Sequence, residues 1–130
     1  MLEKYKETFD RLTLIEHEFS NGCLNTPDSI NTIMLELAGH YTFLNSQKID
    51  LDVEKFKRSI AIRDKIQGEA RTLGTRVAKN QLEQDIDCEL SELVANIMYL
   101  EGKLLNCDKL ISVCQSSLKS LDREKRMPNY

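Results

Sequence analysis

The residues most suggestive of chemistry are five oxygen-bearing side chains spaced like the ligands of a calcium-binding loop. They are Asp85, Asp87, Glu89, Ser91 and Asn96. In such a loop the sixth position needs glycine for a sharp turn, and the twelfth needs a glutamate that binds the ion through both oxygens. Leu90 and Asn96 occupy those two positions. The spacing therefore predicts no EF-hand and favours solvent-facing acids, Asp85 and Glu89, near a helix N-terminus.

The histidines and two of the cysteines form no recognisable site in the sequence. His17 and His40 are isolated, and Cys23 and Cys88 have neither a CxxC partner nor a histidine at ligand spacing. The sequence also contains no glycine-rich phosphate loop and no nucleophile elbow. We therefore expect a protein that is not an enzyme and that has no metal site and no cofactor.

The other two cysteines, Cys107 and Cys114, lie seven residues apart on one predicted helix. That spacing corresponds to about 10 Å of helical rise, which exceeds the reach of a disulfide. We expect both thiols to be buried as small hydrophobic groups, in a protein of a reducing compartment.

Charge is strongly segregated along the chain, whose formal net charge is −3. Residues 53–79 contain eight Lys/Arg against three Asp/Glu, a net charge of +5, whereas residues 80–101 contain six acids and no base. On an unbroken helix, four of the cations would lie within about 60° of one another and could follow a nucleic-acid backbone. Those four are Arg58, Lys65, Arg76 and Lys79. The candidate nucleic-acid-binding residues are Arg58, Arg63, Lys65, Arg71, Arg76 and Lys79.

The basic stretch has a simpler interpretation as a solvated face, or as a partner for the acids of residues 83–92 on a neighbouring helix. The acidic balance of the whole chain favours this alternative. Among nearby aromatic residues, Tyr41, Phe43 and Phe56 could stack on bases. Tyr41 and Phe56 lie on apolar stripes, which favours core packing for them, and only Phe43 lies off a stripe.

Composition and apolar spacing predict an all-α fold. Two prolines and five glycines in 130 residues leave little turn chemistry for a multi-stranded sheet. A first helix is predicted over residues 1–20. Thr26, Pro27 and Asp28 then supply an N-cap hydroxyl, a proline at the first helical position and an acid in the first turn. They predict the start of a second helical segment.

This second segment covers residues 27–79 and is either one long helix or a broken one. Residues 45–52 have weaker helical periodicity but contain neither Gly nor Pro, so a continuous helix and a short break there are both open. The apolar stripe changes side near Gly68, which predicts a bend, a loop or a change of packing partner between Ala61 and Gly74, with Gly74-Thr75 as the second candidate.

From Leu90 to Leu121, ten apolar residues alternate steps of three and four, the spacing of a heptad repeat. This pattern predicts a helical bundle or a long antiparallel helical hairpin, with a coiled-coil-like helix over residues 82–126. The repeat must pack against earlier helices or against another subunit. A helix of about 60 Å is longer than a compact 130-residue monomer is wide, so it must bend or project from the rest of the chain. If it projects, its apolar seam, the stripe from Leu90 to Leu121, implies a homo-oligomer. The candidate oligomerisation residues are Leu93, Ile97, Leu100, Leu104, Ile111, Leu118 and Leu121.

The length of the chain predicts one domain over residues 1–130 with a modest core. No apolar run approaches the roughly 18 residues that span a bilayer, and the first residues form an amphipathic pattern rather than a secretory signal. We therefore expect a soluble, cytoplasmic protein with no membrane partner.

Two segments and the order of the helices resemble the UvsY-type recombination mediators of large tailed phages. The segments are Tyr41-Thr42-Phe43-Leu44-Asn45, which enters the basic middle, and the run from Tyr99 to Cys107, YLEGKLLNC. The resemblance covers residues 26–124. It implies a small helical protein that oligomerises through its C-terminal helices, binds single-stranded DNA, and helps load a RecA-like recombinase onto strands coated by single-strand binding protein in the host cytoplasm.

Carried over to this chain, the resemblance implies DNA-binding and assembly roles for separate residues. The DNA-binding candidates are Arg58, Arg63, Lys65 and Arg71. The assembly candidates are Leu100, Leu104, Ile111 and Leu118.

An alternative hypothesis is a helical protein-interaction module that binds no nucleic acid, such as a phage assembly chaperone or an inhibitor of a host protein. It would act through the apolar seam or through the acidic face of residues 83–92. The two hypotheses differ in whether the chain is retained by DNA or by a protein partner.

Overall fold

The computed structural model describes the backbone of residues 2–126, and the described residues are almost entirely helical. A short 3-10 helix at Leu2–Tyr5 leads into α1 (Lys6–Ser20), which is followed by α2 (Pro27–Thr72), α3 (Lys79–Glu89) and α4 (Ser91–Arg126). No strand is present in this part of the chain. The all-α prediction is confirmed.

The start of α2 is fixed by the N-cap expected from the sequence. The Ser29 backbone N–H donates to the Thr26 hydroxyl at 3.2 Å, and the Ser29 hydroxyl donates back to the Thr26 carbonyl at 2.9 Å. Pro27 lies at the first helical position, where its missing N–H breaks no helical hydrogen bond. The helix then runs through residues 45–52 without a break.

The end of α2 lies at the glycine that was the second candidate for a break. Gly74 has φ 69°, in the left-handed region that favours glycine. Its N–H donates to the Arg71 carbonyl at 3.1 Å, and the Thr75 N–H donates to the Ala70 carbonyl at 2.8 Å. This is a Schellman motif, which satisfies carbonyls at the C-terminus. Gly68 stays within the helix.

The C-terminal region contains two helices where one was expected over residues 82–126. The interruption is a single residue, Leu90, with φ −96° and ψ 5°. Its N–H still donates to the Ile86 carbonyl, at 3.0 Å, and its carbonyl accepts from the Val94 N–H, at 2.9 Å. Because the hydrogen bonds continue on both sides and Leu90 is buried, the interruption leaves this first residue of the apolar repeat in the core.

The chain divides into two compact units. Unit 1 consists of residues 1–45 and 101–130, and its core is formed by side chains from α1, α2 and α4. Within it, the Cys107 thiol donates to the Leu37 carbonyl at 3.2 Å, which ties α4 to α2. The fully buried side chains of unit 1 are Tyr5, Leu12, Ile15, Ile30, Leu37, Leu44, Cys107 and Cys114. The burial expected for Cys107 and Cys114 is therefore confirmed.

Unit 2 consists of residues 46–100. It contains the second part of α2, the connection at residues 73–78, α3 and the start of α4. Its buried apolar residues are Leu51, Ala70, Leu82, Ile86, Leu90, Leu93, Ile97 and Leu100. Among the described residues, no helix is long and apolar enough to cross a membrane.

Candidate nucleic-acid interface

All six candidate DNA-binding cations belong to unit 2, and all six are exposed. Four of them lie in α2, one in the connection after it, and one at the start of α3. In sequence order they are Arg58, Arg63, Lys65, Arg71, Arg76 and Lys79. The basic stretch therefore stays within one compact unit and keeps its charged groups in contact with solvent.

The cations are not neutralised by the acidic segment that follows them. Arg58 has an ion pair with Glu54 one helical turn away, with its Nη2 2.6 Å from Glu54 Oε1. Within the described residues, the other five form no ion pair, and none of the six is paired with the acids of residues 83–92. Pairing with residues 83–92 is therefore not observed among the described residues, and a solvated face is the alternative to nucleic-acid binding that is left.

The four-residue helical stripe expected from the sequence is wrong, because α2 ends before two of its members. Arg58 and Lys65 lie seven residues apart on one face of α2, as expected. Arg76 lies in the connection and Lys79 begins α3, so the projection of an unbroken helix does not apply to them.

The turn after α2 instead brings Arg76 close to Arg71. Both residues line a depression of about 240 Å³ together with Thr75. The left-handed Gly74 lies in the turn that ends α2, and the connection after it places Arg76 beside the last turn of the helix. The Gly74-Thr75 pair was the only signal of this arrangement in the sequence.

Aromatic residues near the basic stretch depart from expectation. Phe56 and Tyr41, both expected in the core, are exposed, Phe56 the more strongly. Phe43 packs edge-on against Tyr5, with ring centroids 6.1 Å apart. Sequence periodicity correctly placed Phe56 on the same helix face as Val53 and Ile60, but no other part of the described chain covers that face.

The C-terminal apolar seam is largely covered within the single chain. Leu93, Ile97, Leu100 and Leu104 are buried without any second subunit. Ile111, Leu118 and Leu121 are half-buried. Of the two alternatives for the seam, packing within the chain accounts for these four buried residues, so their apolar character is no longer a reason to expect an oligomer. Self-association stays a prediction.

The acids that resemble calcium ligands are placed on helices. Asp85, Asp87 and Glu89 lie in α3, where the Gln81 side-chain amide donates to Asp85 at 2.9 Å. Among the described residues, no group of His, Cys, Asp and Glu is arranged to hold a metal ion.

Burial raises the pKa of the Cys107 thiol to about 11, with a smaller contribution from Asp108, so this thiol is protonated at neutral pH and is a poor nucleophile.

A charged network in unit 1 joins α1 to α2, and it was not predicted from the sequence, where His40 was considered isolated. Arg11 binds both carboxylate oxygens of Glu36, through Nε at 2.6 Å and Nη2 at 2.9 Å. His40 Nε2 lies 2.9 Å from the same carboxylate. The hydrogen bonds from Arg11, followed by that from His40, lower the pKa of Glu36 against the opposing effect of burial. Only the tertiary structure brings residues 11 and 36 together.

We expect the stability of the protein to fall at acidic pH partly through Glu36. Its folded-state pKa lies below its ordinary value of about 4.5, so the ionised form stabilises the fold above that pH, and the contribution is lost as pH falls through the folded pKa. Because the pair is about one-third exposed, solvent screening limits the contribution to about 1 kcal/mol. Urea unfolding of the wild type and Glu36→Gln should therefore give different free energies of unfolding at pH 7, and the difference should shrink as the pH falls below about 4.5.

The control for this measurement is Glu83→Gln, which alters an exposed glutamate of α3 that has no ion pair with the described residues. It should leave the free energy of unfolding at pH 7 close to that of the wild type. A difference between wild type and Glu36→Gln that persists unchanged at pH 3 would contradict the assignment to the Glu36 carboxylate.

No protein-family model, curated protein sequence or solved structure matches this chain in the comparisons made. The resemblance to UvsY-type mediators stays a prediction.

Proposed function

We propose that this protein is a non-enzymatic, homo-oligomeric accessory factor that binds single-stranded DNA through the exposed cations of unit 2. The observation that carries the DNA-binding part is the unpaired state of five of the six cations among the described residues. Unpaired, solvent-facing Lys and Arg can neutralise phosphates without first breaking internal ion pairs.

The assistance to a RecA-like recombinase on strands coated by single-strand binding protein rests on the sequence resemblance alone. It is the role that the resemblance implies for a small helical protein with a basic middle segment. The proposal includes no cofactor, no metal and no catalytic residue.

The experiment that tests DNA binding measures fluorescence anisotropy of a labelled single-stranded oligonucleotide at several salt concentrations. For single strands, the logarithm of the binding constant falls with the logarithm of salt by about 0.7 for each neutralised phosphate. Three to six contacts therefore predict a slope between about −2 and −4. Absence of binding at low salt, or binding that ignores salt, would remove the proposal.

A protein-interaction module is the second candidate, and one observation favours it. The α3 region presents Glu83, Asp87, Glu89 and Glu92 as exposed acids with no ion pair among the described residues, a surface suited to a basic protein partner. Retention of a protein partner by the immobilised chain, together with no retention of the chain on a single-stranded DNA column, would select this function over DNA binding.

A further inference from the structure

One face of α2 in unit 2 carries four large apolar side chains that the chain leaves uncovered. Ile49, Val53, Phe56 and Ile60 are 51%, 47%, 66% and 42% exposed. Their steps of four, three and four residues place them within about 60° of one another on the helix. Leu51, on the opposite side of the same helix, is buried. We call these four residues the α2 stripe.

We infer that the α2 stripe is a self-association surface, on which a second copy of this chain lays its own α2 in antiparallel orientation. The proposed function includes self-association, and this inference assigns that self-association to a particular surface. It rests on the proposed function for the self-association and does not depend on DNA binding. The buried part of the C-terminal seam cannot serve this purpose in the folded chain, because Leu93, Ile97, Leu100 and Leu104 are covered.

The spacing of the α2 stripe fits a two-fold axis that is perpendicular to both helices. The axis passes between them at the level midway between Val53 and Phe56. Two antiparallel copies related by this axis place Val53 of each chain against Phe56 of the other, and Ile49 of each against Ile60 of the other. Four apolar layers result, over about 17 Å of helix. A closed two-fold pair buries the same patch on both copies and leaves no apolar edge for further growth.

Polar residues limit the α2 stripe at both ends. Continuing the same spacing by one step gives Ser46 before Ile49 and Arg63 after Ile60. Both are exposed, and the two-fold axis places Ser46 of one chain opposite Arg63 of the other. The apolar contact is therefore confined to four layers, and the buried area falls in the class below about 1,200 Å² that is typical of weak association.

Charge beside the α2 stripe is complementary in the antiparallel arrangement. Asp50 and Lys57 lie on one flank of the stripe, both exposed and without an ion pair among the described residues. The two-fold axis brings Asp50 of each chain within about 3 Å of axial register with Lys57 of the other, which gives two symmetric ion pairs. Such flanking pairs select partner and orientation in paired helices.

A parallel pairing is less well supported by the flanking charges. It would place Lys57 of one chain opposite Asp52 of the other. Asp52 is half-buried and already held by Lys48, with Oδ2 3.1 Å from Nζ. Among the described residues, Asp50 has no ion pair in its own chain, so the antiparallel pairing uses a free carboxylate, whereas the parallel pairing competes with the existing ion pair of Asp52.

The experiment measures the mass of the full chain by sedimentation equilibrium, without DNA, from roughly 10 to 300 µM, the range suited to a weak interface. The wild type should move from the mass of one chain toward twice that mass. The double variant Val53→Ser with Phe56→Ser should stay a monomer throughout, with a dissociation constant raised at least tenfold. Neutral replacements leave the charges used for DNA unchanged.

The matched control is Met98→Ser, which removes an apolar side chain of unit 2 that is 63% exposed and lies outside the α2 stripe. It should dimerise like the wild type, and far-UV circular dichroism should show the same helix content for all variants. A wild type that stays monomeric overturns the inference. So does an oligomer whose mass is the same in the wild type and the double variant.

Orientation is tested by exchanging the flanking charges. Lys57→Glu should weaken dimerisation by placing acids opposite Asp50, and adding Asp50→Lys to the same chain should restore it. Failure of this rescue overturns the antiparallel register. Oligonucleotide binding by the monomeric double variant separates the two proposals: a chain that binds DNA but never dimerises retains the proposed DNA binding and loses this interface.

Discussion

Replacing Leu100 with alanine is expected to lower the free energy of unfolding by about 2–5 kcal/mol. Leu100 is fully buried in α4 within the single chain. Truncation to alanine removes the transfer free energy of its methyl and methylene groups and leaves a cavity that the surrounding helices fill only in part. Urea unfolding followed by circular dichroism, with linear extrapolation to water, measures the loss.

The same substitution at Leu105 provides the matched control, because this leucine lies on the same helix and is 56% exposed. Leu105→Ala should change the free energy of unfolding by less than about 1 kcal/mol, since little buried area is lost. Equal losses for the two variants would show that the burial of Leu100 is not what stabilises the fold.

The free energy of unfolding lost in Leu100→Ala should also be independent of protein concentration. A residue covered within one chain stabilises that chain at any dilution, whereas a residue covered by a second subunit contributes less as the oligomer dissociates. Repeating the unfolding of Leu100→Ala and wild type at concentrations a hundredfold apart distinguishes the two. If the difference in free energy of unfolding between wild type and Leu100→Ala disappears on dilution, the C-terminal apolar seam is an oligomer interface.

Neutralising four cations of unit 2 is expected to weaken binding to a single-stranded oligonucleotide by roughly 100-fold or more at 0.1 M salt, with the salt slope shallower by about 2.8. The variant carries glutamine at Arg63, Lys65, Arg71 and Arg76, which have no ion pair among the described residues. Each removed contact abolishes the release of about 0.7 counterion. Arg58 is left in place because it is already bound to Glu54.

A charge-matched control carries glutamine at four exposed cations of unit 1. These are Lys6, Lys109, Lys119 and Arg123. Both quadruple variants have the same net charge, so a general electrostatic effect would weaken both alike. Anisotropy titrations at three salt concentrations compare them. Equal weakening would contradict a localised interface, and no weakening in either would show that the exposed cations of unit 2 only solvate its surface.

Local signals in the sequence were sufficient for the helix boundaries that depend on nearby residues. The N-cap at Thr26 and the turn at Gly74 are set by hydrogen bonds within a few residues, so their residue types carry the information directly. The single-residue interruption at Leu90 has no such signal, because its backbone hydrogen bonds continue on both sides and neither Gly nor Pro marks it.

The sequence was sufficient to identify the candidate cations, but it did not show how they are arranged in space. Exposed Lys and Arg are recognisable by composition, whereas the proximity of Arg71 and Arg76 follows from the turn at Gly74. The pairing of Arg11 with Glu36 was equally inaccessible, since 25 residues separate them and only the packing of α1 on α2 brings them within 2.6 Å.

By itself, the sequence determined that this protein is built from helices, where α2 begins, and which side chains share a face within one helix. It could not determine which faces are covered. Leu93, Ile97 and Leu100 in α4 have the same spacing as Ile49, Val53 and Phe56 in α2, yet the first set is buried and the second is exposed. Periodicity depends on the geometry of one helix, whereas burial depends on which distant helices pack beside it, and only the tertiary structure decides that.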